Sequence, residues 1–359
     1  MRPREEIASL EICPHGGPDY AELKLLGLEP EEVLDFSVSA NPFGPPPGAK
    51  EALTSAVIDR YPDSESSQLR RSLAAHLRTN SENIIAGNGS TEIIRLIASA
   101  YISGNEPVII VEPTFGEYEI ACQIAGARIL SHRTQASNNF KLNTDELAAS
   151  IKTLQPKAVF LCNPNNPTGQ YSSRDKVVQI ISACQNSLFV LDEAYVSFAE
   201  ESWDSLNLIE EGNLIIIRSM TKDYALAGLR LGYAIAHTEI IETLKRVCPP
   251  WNVNAAAQQV GLAALSEQDY LNRCKDDILK AKGFLIEKLT GLGLNPLPSH
   301  ANFFLVNVGD ATEFRRKLLR HGIMVRDCTS FGLPQYIRIA PRTMPECEKL
   351  IEISKQVSQ

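Results

Sequence analysis

The chain has 359 residues, of which 44% are hydrophobic and 22% are charged, with a formal net charge of −8 and a pI near 5.4. Such a chain can bury a large core and is long enough for two packed domains. The acidic balance argues against a general nucleic-acid binder, because no excess of basic residues is present to neutralise a phosphate backbone. Any phosphate that the protein binds should be small and held locally.

The cysteines and the N-terminus indicate a cellular compartment. Eight cysteines are scattered without a Cys-x-x-Cys pair, which is typical of reduced, buried thiols and argues against a metal site. Residues 1–6 lack the apolar core of a signal peptide, and no stretch has the length of a membrane span. We therefore predict a cytoplasmic protein with no metal, no membrane partner and no nucleic-acid partner.

Up to about residue 250 the sequence predicts an α/β fold. Short apolar runs alternate with amphipathic stretches, a pattern that favours a mainly parallel sheet with crossover helices on both sides. The predicted strands are 107–111, 127–130, 158–162, 187–192, 213–217 and 233–236. Several carry polar motifs at their carboxyl ends, where open parallel sheets bind ligands.

The remainder predicts a second, smaller α+β domain. Long charged amphipathic stretches follow residue 251, and they are followed by three short apolar runs: 268–292 is the clearest helix, and 302–306, 322–326 and 336–339 are the runs. We expect residues 46–250 to form the large domain, and residues 1–45 and 251–359 the small one. The proline-rich segment 41–48 is predicted to be a rigid loop between them, because proline lacks an amide donor and fixes φ.

A glycine turn at residues 87–89 runs directly into an amphipathic stretch. A helix that begins there would present free backbone N–H groups, with the hydroxyls of Ser90 and Thr91 beside them, and would suit a phosphate. A helix cap without a ligand is the commoner explanation of such a pattern. The assignment therefore depends on the other motifs.

Two further polar motifs follow predicted strands. Segment 163–169 has good turn chemistry, and it offers Asn166 as an amide donor. Asp192 ends an apolar strand, so its carboxylate would be partly desolvated and would need a cationic partner, for which a protonated pyridine nitrogen is suitable. Tyr195, three residues further on, could donate its hydroxyl to an oxygen on the same ring.

Lys222 completes this set. It follows an apolar strand, with Ser219 and Thr221 beside it and Arg230 eight residues further on. Burial near cationic groups lowers the pKa of a lysine and favours the neutral amine that attacks an aldehyde. A lysine, an acid, an amide, a hydroxyl and an arginine are together the groups needed to hold pyridoxal 5′-phosphate.

Over essentially its whole length the sequence resembles fold-type-I pyridoxal-phosphate enzymes of the aminotransferase class I/II family. The resemblance implies an aspartate aminotransferase-like fold, with Lys222 as the Schiff-base lysine and Asp192 as the partner of the ring nitrogen. It also implies that Phe115 stacks on the pyridine ring. The remaining implied contacts are Asn166 and Tyr195 to the ring oxygen, and Ser90, Thr91, Ser219 and Arg230 to the cofactor phosphate.

The resemblance also implies partners. Tyr61 is similar to a tyrosine that family members extend across a dimer interface to the partner's cofactor phosphate, so the active unit would be a homodimer with active sites at the interface. Arg338 matches an arginine that binds the substrate carboxylate, and Arg326 resembles a further anion-binding position. Together they imply a small phosphorylated amino acid or amino alcohol as substrate.

Within the family, the sequence is similar to the branch shared by threonine-phosphate decarboxylases and histidinol-phosphate aminotransferases. His15-Gly16-Gly17 and segment 35–44, which contains Asn41, look like the decarboxylase opening and make His15 and Asn41 substrate-binding candidates, although Pro18 stands where Asn is typical. We therefore expect decarboxylation of L-threonine-O-3-phosphate to (R)-1-amino-2-propanol phosphate in cobalamin biosynthesis. The alternative is transfer of an amino group from histidinol phosphate, or a related amino acid, to 2-oxoglutarate. A non-catalytic regulator is disfavoured, because no basic helix-turn-helix segment lies outside the enzyme-length core.

Overall fold

The structure is a computed structural model that describes residues 1–8, 10–11, 13–14 and 16–357. Its strands within those residues are β1 Leu34–Asp35, β2 Ile84–Asn88, β3 Pro107–Glu112, β4 Arg128–Arg133, β5 Ala158–Cys162, β6 Leu188–Asp192, β7 Leu214–Ser219, β8 Leu231–Ala236, β9 Asn295–Pro296, β10 Phe304–Asn307, β11 Ile323–Met324, β12 Arg326–Asp327 and β13 Tyr336–Ile339.

The α-helices alternate with these strands in the first part of the chain and dominate the last part. They are α1 Glu5–Ala8, α2 Tyr20–Leu26, α3 Pro47–Thr54, α4 Ser67–Leu77, α5 Gly89–Tyr101, α6 Glu117–Ile124, α7 Thr144–Leu154, α8 Arg174–Ile181, α9 Thr238–Val247, α10 Ala255–Leu265, α11 Gln268–Gly291, α12 Ala311–Leu319 and α13 Met344–Val357.

Seven strands form the large sheet, in the order β2-β8-β7-β6-β5-β3-β4. Strand β8 is antiparallel to both of its neighbours, and the other pairings are parallel, as the alternating pattern predicts. The six predicted strands of this region are present with shifts of a few residues at their ends. The parallel arrangement places the ends of β5, β6 and β7 along one edge of the sheet.

Strand β2 was not among the predicted strands. Its apolar run is only three residues long, from Ile84 to Ala86, which is shorter than the usual strand signal. Gly87, which we expected in a turn, instead pairs with Gly232 of β8. Pairing with a distant strand therefore extends β2 up to the first residue of α5.

Helices cover both faces of the large sheet and bury it. In β5, Val159 and Leu161 join the core that contains α3, α4, α7, α8 and α10, whereas Ala158 and Phe160 join the core that contains α5, α6 and α9. Successive side chains of a strand point to opposite faces, so a strand that is buried on both faces reads as a continuous apolar run. This double burial explains why these strands could be recognised from sequence.

The C-terminal part has its own core. Strands β12, β13, β10 and β9 form an antiparallel sheet, and helices α11, α12 and α13 pack with it. The apolar run 322–326 is divided at Val325: β11 pairs with β1 near the N-terminus, and β12 pairs with β13. Neighbouring residues of this run therefore bond to two different sheets.

Two details bear on the predicted domain division. The proline-rich segment is irregular up to Pro46, but Pro47 already begins α3, where a missing amide is tolerated in the first turn. Helix α10 lies beyond residue 250, yet it packs against α3 and α4. The division at residues 46 and 250 stays a prediction.

The described residues include no helix that is long and apolar enough to cross a membrane. The cytoplasmic location stays a prediction.

Strand β8 approaches the start of α5 so closely that it requires a glycine. A Cβ at Gly232 would lie 2.6 Å from the Ser90 backbone nitrogen and 2.9 Å from the Gly89 carbonyl carbon. Both are backbone atoms of a packed helix, so they cannot move aside cheaply. The absence of a side chain at residue 232 therefore fixes how far the helix stands from the sheet.

We expect Gly232→Ala to lower the free energy of unfolding by about 1–3 kcal/mol, the usual cost of overpacking. Urea denaturation monitored by circular dichroism measures this change. The matched control is Gly228→Ala, because a Cβ at Gly228 would meet no atom within 4 Å. Equal stability of the two variants would contradict the close approach.

Candidate active site

A cavity of about 350 Å³ lies where the large sheet, the start of α5 and the C-terminal part meet. Eleven of the residues predicted from the sequence to bind cofactor or substrate line it: Ser90, Thr91, Phe115, Asn166, Asp192, Tyr195, Ser219, Lys222, Arg230, Arg326 and Arg338. Folding therefore brings together residues that are up to 248 positions apart in the chain.

One end of the cavity is rich in donors. Helix α5 begins at Gly89, and the Asn88 side chain does not cap it. Gly89 has a φ of +75°, and a Cβ on it would lie 2.7 Å from Arg230 Nη2, so the glycine lets the guanidinium approach the start of the helix. The Ser219 and Thr221 hydroxyls lie 2.7 Å apart on the same side. A helix start, hydroxyls and a guanidinium are groups that can bind a phosphate.

Asp192 lies at the end of β6, and its side chain is buried. Its Oδ1 accepts the Ala194 backbone N–H at 2.9 Å, and its Oδ2 accepts the Tyr118 hydroxyl at 2.6 Å. Burial raises the pKa of Asp192, whereas these two hydrogen bonds lower it. A carboxylate in this position is suited to a buried cation.

Lys222 follows β7, and its backbone is anchored from the N-terminal part. Its carbonyl accepts the Asn41 backbone N–H at 2.7 Å, and Asn41 Nδ2 donates to the next carbonyl, that of Asp223, at 3.2 Å. Burial lowers the pKa of Lys222 to about 8, and the positive charges of Arg338 and Arg230 act in the same direction. A substantial fraction of the amine is therefore neutral and nucleophilic near neutral pH.

Tyr195 and Asn166 lie between the two ends of the cavity. The Tyr195 oxygen accepts a hydrogen bond from Ser39 Oγ at 3.2 Å, and its ring meets the Phe303 ring edge-on with centroids 4.8 Å apart. Burial raises the pKa of Tyr195, so the hydroxyl keeps its proton and can donate it. Asn166 Oδ1 accepts a hydrogen bond from Arg338 Nη1, which leaves the amide nitrogen as the donor.

Two guanidinium groups, those of Arg338 and Arg326, also line the cavity. Arg338 is buried; its Nη2 donates to the Ser37 carbonyl at 2.7 Å, and its Nε has no hydrogen-bond partner among the described residues. Arg326 Nη2 donates to the Pro14 carbonyl and to Ser330 Oγ, both at 2.7 Å. Burial and the charge of Arg338 lower the pKa of Arg326, so an anion bound between the two groups would relieve a real repulsion.

Two predicted residues do not line the cavity, and a third lies outside the described residues. Tyr61 is 76% exposed, stacks on Trp251 with ring centroids 4.3 Å apart and does not line the cavity of its own chain. Asn41 is buried, does not line the cavity, and donates its backbone N–H to the Lys222 carbonyl, so its predicted contact with a substrate stays a prediction. His15 lies outside the described residues.

Sequence reasoning missed several residues that line the cavity. Tyr118 is the most important, because its hydroxyl donates a hydrogen bond to Asp192. Its position three residues after Phe115, across the start of α6, could have indicated that the two side chains lie close together. Ser37, Ser39 and Phe331 also line the cavity. Ser37 and Ser39 lie in the 35–44 segment without having been singled out as site residues, and their place in the cavity becomes recognisable only once the chain is folded.

Comparison with known proteins identifies the family. Residues 31–353 match the aminotransferase class I and II family. The chain belongs to this family. The family uses pyridoxal 5′-phosphate, so the cofactor expected from the sequence is confirmed.

Individual aminotransferases support this assignment. The chain is 36% identical to a histidinol-phosphate aminotransferase from Moorella thermoacetica over 99% of this chain and 92% of that protein. The structure of histidinol-phosphate aminotransferase from Sinorhizobium meliloti, in complex with pyridoxal-5′-phosphate, matches with a TM-score of 0.88 and 26% identity over 99% of this chain and 97% of that one. The predicted aspartate aminotransferase-like fold is confirmed.

The relatives also correct the expected reaction. An L-threonine-O-3-phosphate decarboxylase from Porphyromonas gingivalis shares the fold, with a TM-score of 0.79 and 26% identity over 90% of this chain and 98% of that one. The curated relatives, however, are named histidinol-phosphate aminotransferase, and their sequence identities to this chain are 34–36%, higher than that of the decarboxylase. The expected decarboxylation in cobalamin biosynthesis is therefore wrong. A three-residue His-Gly-Gly motif is too short to separate two reactions that occur on the same fold.

The cavity of this aminotransferase fits pyridoxal 5′-phosphate. The uncapped start of α5 with Arg230 and Ser219 suits the phosphate, and buried Asp192 suits the protonated ring nitrogen. Lys222, with its lowered pKa, suits the aldehyde. The role of each residue stays a prediction, but their chemistry matches every polar group of the cofactor.

We expect the rate at which the apoenzyme takes up the cofactor covalently to rise with pH, with a midpoint at about 8, because only the neutral Lys222 amine attacks. In Arg338→Gln the midpoint should move to higher pH, because removal of a nearby positive charge favours the protonated amine. Stopped-flow absorbance at a series of pH values measures both.

Lys222→Ala is the control, since it should bind the cofactor without covalent attachment. A wild-type midpoint close to the ordinary lysine value of 10.5 would contradict a buried, neutralised amine.

Proposed function

We propose that this protein transfers the amino group of L-histidinol phosphate to 2-oxoglutarate. The observation that carries the proposal is that two guanidinium groups, those of Arg326 and Arg338, line the same cavity as Lys222. 2-Oxoglutarate has two carboxylates, and histidinol phosphate has a phosphate and no carboxylate. A pair of arginines can bind either anion pattern, because each guanidinium presents a fork of donors.

Arg338 is the better group for a carboxylate close to the reacting carbon. It is held by Ser37 and Asn166, and its buried Nε has no hydrogen-bond partner among the described residues. Phe303 lies 4.9 Å from the guanidinium and holds its plane. Arg326 lies beside the N-terminal segment and Phe331, which suits the distal phosphate or the second carboxylate.

The bound cofactor supplies an electron sink that makes the substrate carbon next to the amine acidic. Lys222 Nζ is the base for that proton, because it lies in the cavity and its pKa of about 8 allows it both to accept and to return a proton. Asp192 holds the ring nitrogen in its cationic form. Asn166 and Tyr195 orient the ring by donating to its oxygen.

The same proposal includes a homodimer in which each subunit completes the other's site. Tyr61 is exposed and directed away from its own cavity, although it resembles a cofactor-phosphate ligand. Apolar side chains are exposed near Tyr61: those of Val57 and Ile58, which are close in the chain, and that of its stacking partner Trp251. Such a surface is one that a partner subunit would cover. Isologous packing would bring each Tyr61 to the partner's site.

We expect the purified, cofactor-loaded enzyme to form glutamate from L-histidinol phosphate and 2-oxoglutarate. Coupled glutamate detection measures the product, and threonine phosphate with carbon dioxide detection is run in parallel. In Arg326→Gln the KM for histidinol phosphate should rise about tenfold or more, while histidinol without phosphate should be affected little, because a charge-assisted contact to the phosphate is lost.

Absence of glutamate with a fully loaded enzyme would refute the proposed substrate. An equal effect of Arg326→Gln on both amines would refute the role of Arg326 while leaving the reaction in place.

Mixed dimers test the shared site. We expect Tyr61→Ala and Lys222→Ala each to lose most activity alone, and an equal mixture after subunit exchange to recover about a quarter of the wild-type activity. Half of the dimers would be hybrids, and each hybrid would have one intact site. If Tyr61 acted within its own chain, both sites of a hybrid would be defective and mixing would restore nothing.

A further inference from the structure

Tyr118 connects two parts of the site that sequence motifs treat separately. Its hydroxyl donates to Asp192 Oδ2 at 2.6 Å, and its ring meets the Phe115 ring edge-on with centroids 5.7 Å apart. Asp192 is suited to the cofactor's ring nitrogen and Phe115 to its face. One buried side chain therefore contacts both of the groups that would locate the pyridine ring.

Packing against strand β5 and the surrounding core fixes the position of the Tyr118 hydroxyl. The ring stacks on Phe160 of β5, with centroids 5.4 Å apart and planes inclined by 24°. Tyr118 is 1% exposed and belongs to the core between the sheet and helices α5, α6 and α9. Because the ring is packed on several sides, the hydroxyl can reach only a narrow region, and the Asp192 carboxylate occupies it.

The charged and titratable groups around Asp192 explain what the hydrogen bond does. Glu193 raises the pKa of Asp192 by its negative charge, whereas Lys222 lowers it. Burial and the charge of Asp192 raise the pKa of the Cys162 thiol of β5, so this neighbour is neutral. Burial is the largest influence and raises the pKa of Asp192, and the Tyr118 hydroxyl is the strongest that lowers it. The Tyr118 hydroxyl stays protonated, because burial and Asp192 raise the pKa of Tyr118 well above its ordinary value.

Among the described residues, Asp192 has two hydrogen-bond donors, and one of them belongs to a side chain. The Ala194 backbone N–H binds Oδ1 whatever residue stands there, but Oδ2 depends on Tyr118. Without Tyr118, the buried Asp192 carboxylate would lose a donor, and a rotated or protonated carboxyl would have the lower free energy.

We propose that Tyr118 is a positioning residue for the cofactor: its hydroxyl orients the buried Asp192 and keeps it anionic, ready to pair with the protonated ring nitrogen. This role concerns the cofactor alone and does not depend on which amine is the substrate. It predicts that the tyrosine acts on cofactor affinity through Asp192.

The test measures binding of pyridoxal 5′-phosphate to the apoenzyme by absorbance titration at about pH 8 and about pH 6. We expect Tyr118→Phe to raise the dissociation constant about tenfold at the higher pH, because a hydrogen bond to a charged group is lost. The ratio of the variant to the wild-type constant should widen at the lower pH. Asp192 without its donor has a higher pKa, so more of the apoenzyme must lose a proton before pairing.

A double-mutant cycle separates positioning from general damage. If Tyr118 acts through Asp192, adding Tyr118→Phe to Asp192→Asn should weaken binding little further, whereas independent effects would multiply. Tyr336→Phe is the control, because it removes a buried tyrosine hydroxyl from a different core. An unchanged dissociation constant in Tyr118→Phe, a ratio independent of pH, or multiplying losses in the double variant would each overturn the proposal.

Discussion

The site depends on keeping several charges out of water where the carboxyl edge of the large sheet meets the C-terminal part. Asp192, Lys222 and Arg338 share a cavity, and each changes the ionisation of another: the arginine lowers the pKa of the lysine, and the aspartate raises it. Burial of charges is costly unless partners are provided. The cavity has more positive than negative groups, so these groups need anionic partners. The cofactor and the substrate would supply those anions.

Main-chain pairing keeps these charges in register. The Glu193 N–H donates to the Ile217 carbonyl at 2.8 Å, directly after Asp192 and shortly before Ser219. Arg218 and Glu193 form an ion pair at 2.9 Å between the same two strand ends. The acid on β6 and the lysine that follows β7 are thus held by a backbone contact and a side-chain contact. Arg338 adds a third connection by joining the N-terminal segment at Ser37 to the Asn166 loop.

The large sheet and most of the cavity could be predicted because both depend on short-range patterns. Strands buried on two faces read as apolar runs, and polar groups at their ends mark the ligand edge. What could not be predicted depends on long-range pairing: β2 forms only against β8, and the run at 322–326 is divided between two sheets. Asn41 lies in a recognisable motif, but it hydrogen-bonds to the backbone of Lys222. Tyr118 lies in no motif that was singled out, but its hydroxyl hydrogen-bonds to Asp192. The reaction was mispredicted because the common cofactor contacts do not distinguish the two chemistries.

The stacked pair of Tyr61 and Trp251 has an optical consequence. The chain has two tryptophans: Trp203 is partly buried and donates its indole N–H to the Ser172 carbonyl at 3.0 Å, whereas Trp251 is 44% exposed at the surface proposed to meet a partner. Indole emission depends on the polarity around the ring. The native chain therefore contains both a reference fluorophore in its interior and a reporter at the subunit contact, so assembly can be followed without attaching a label.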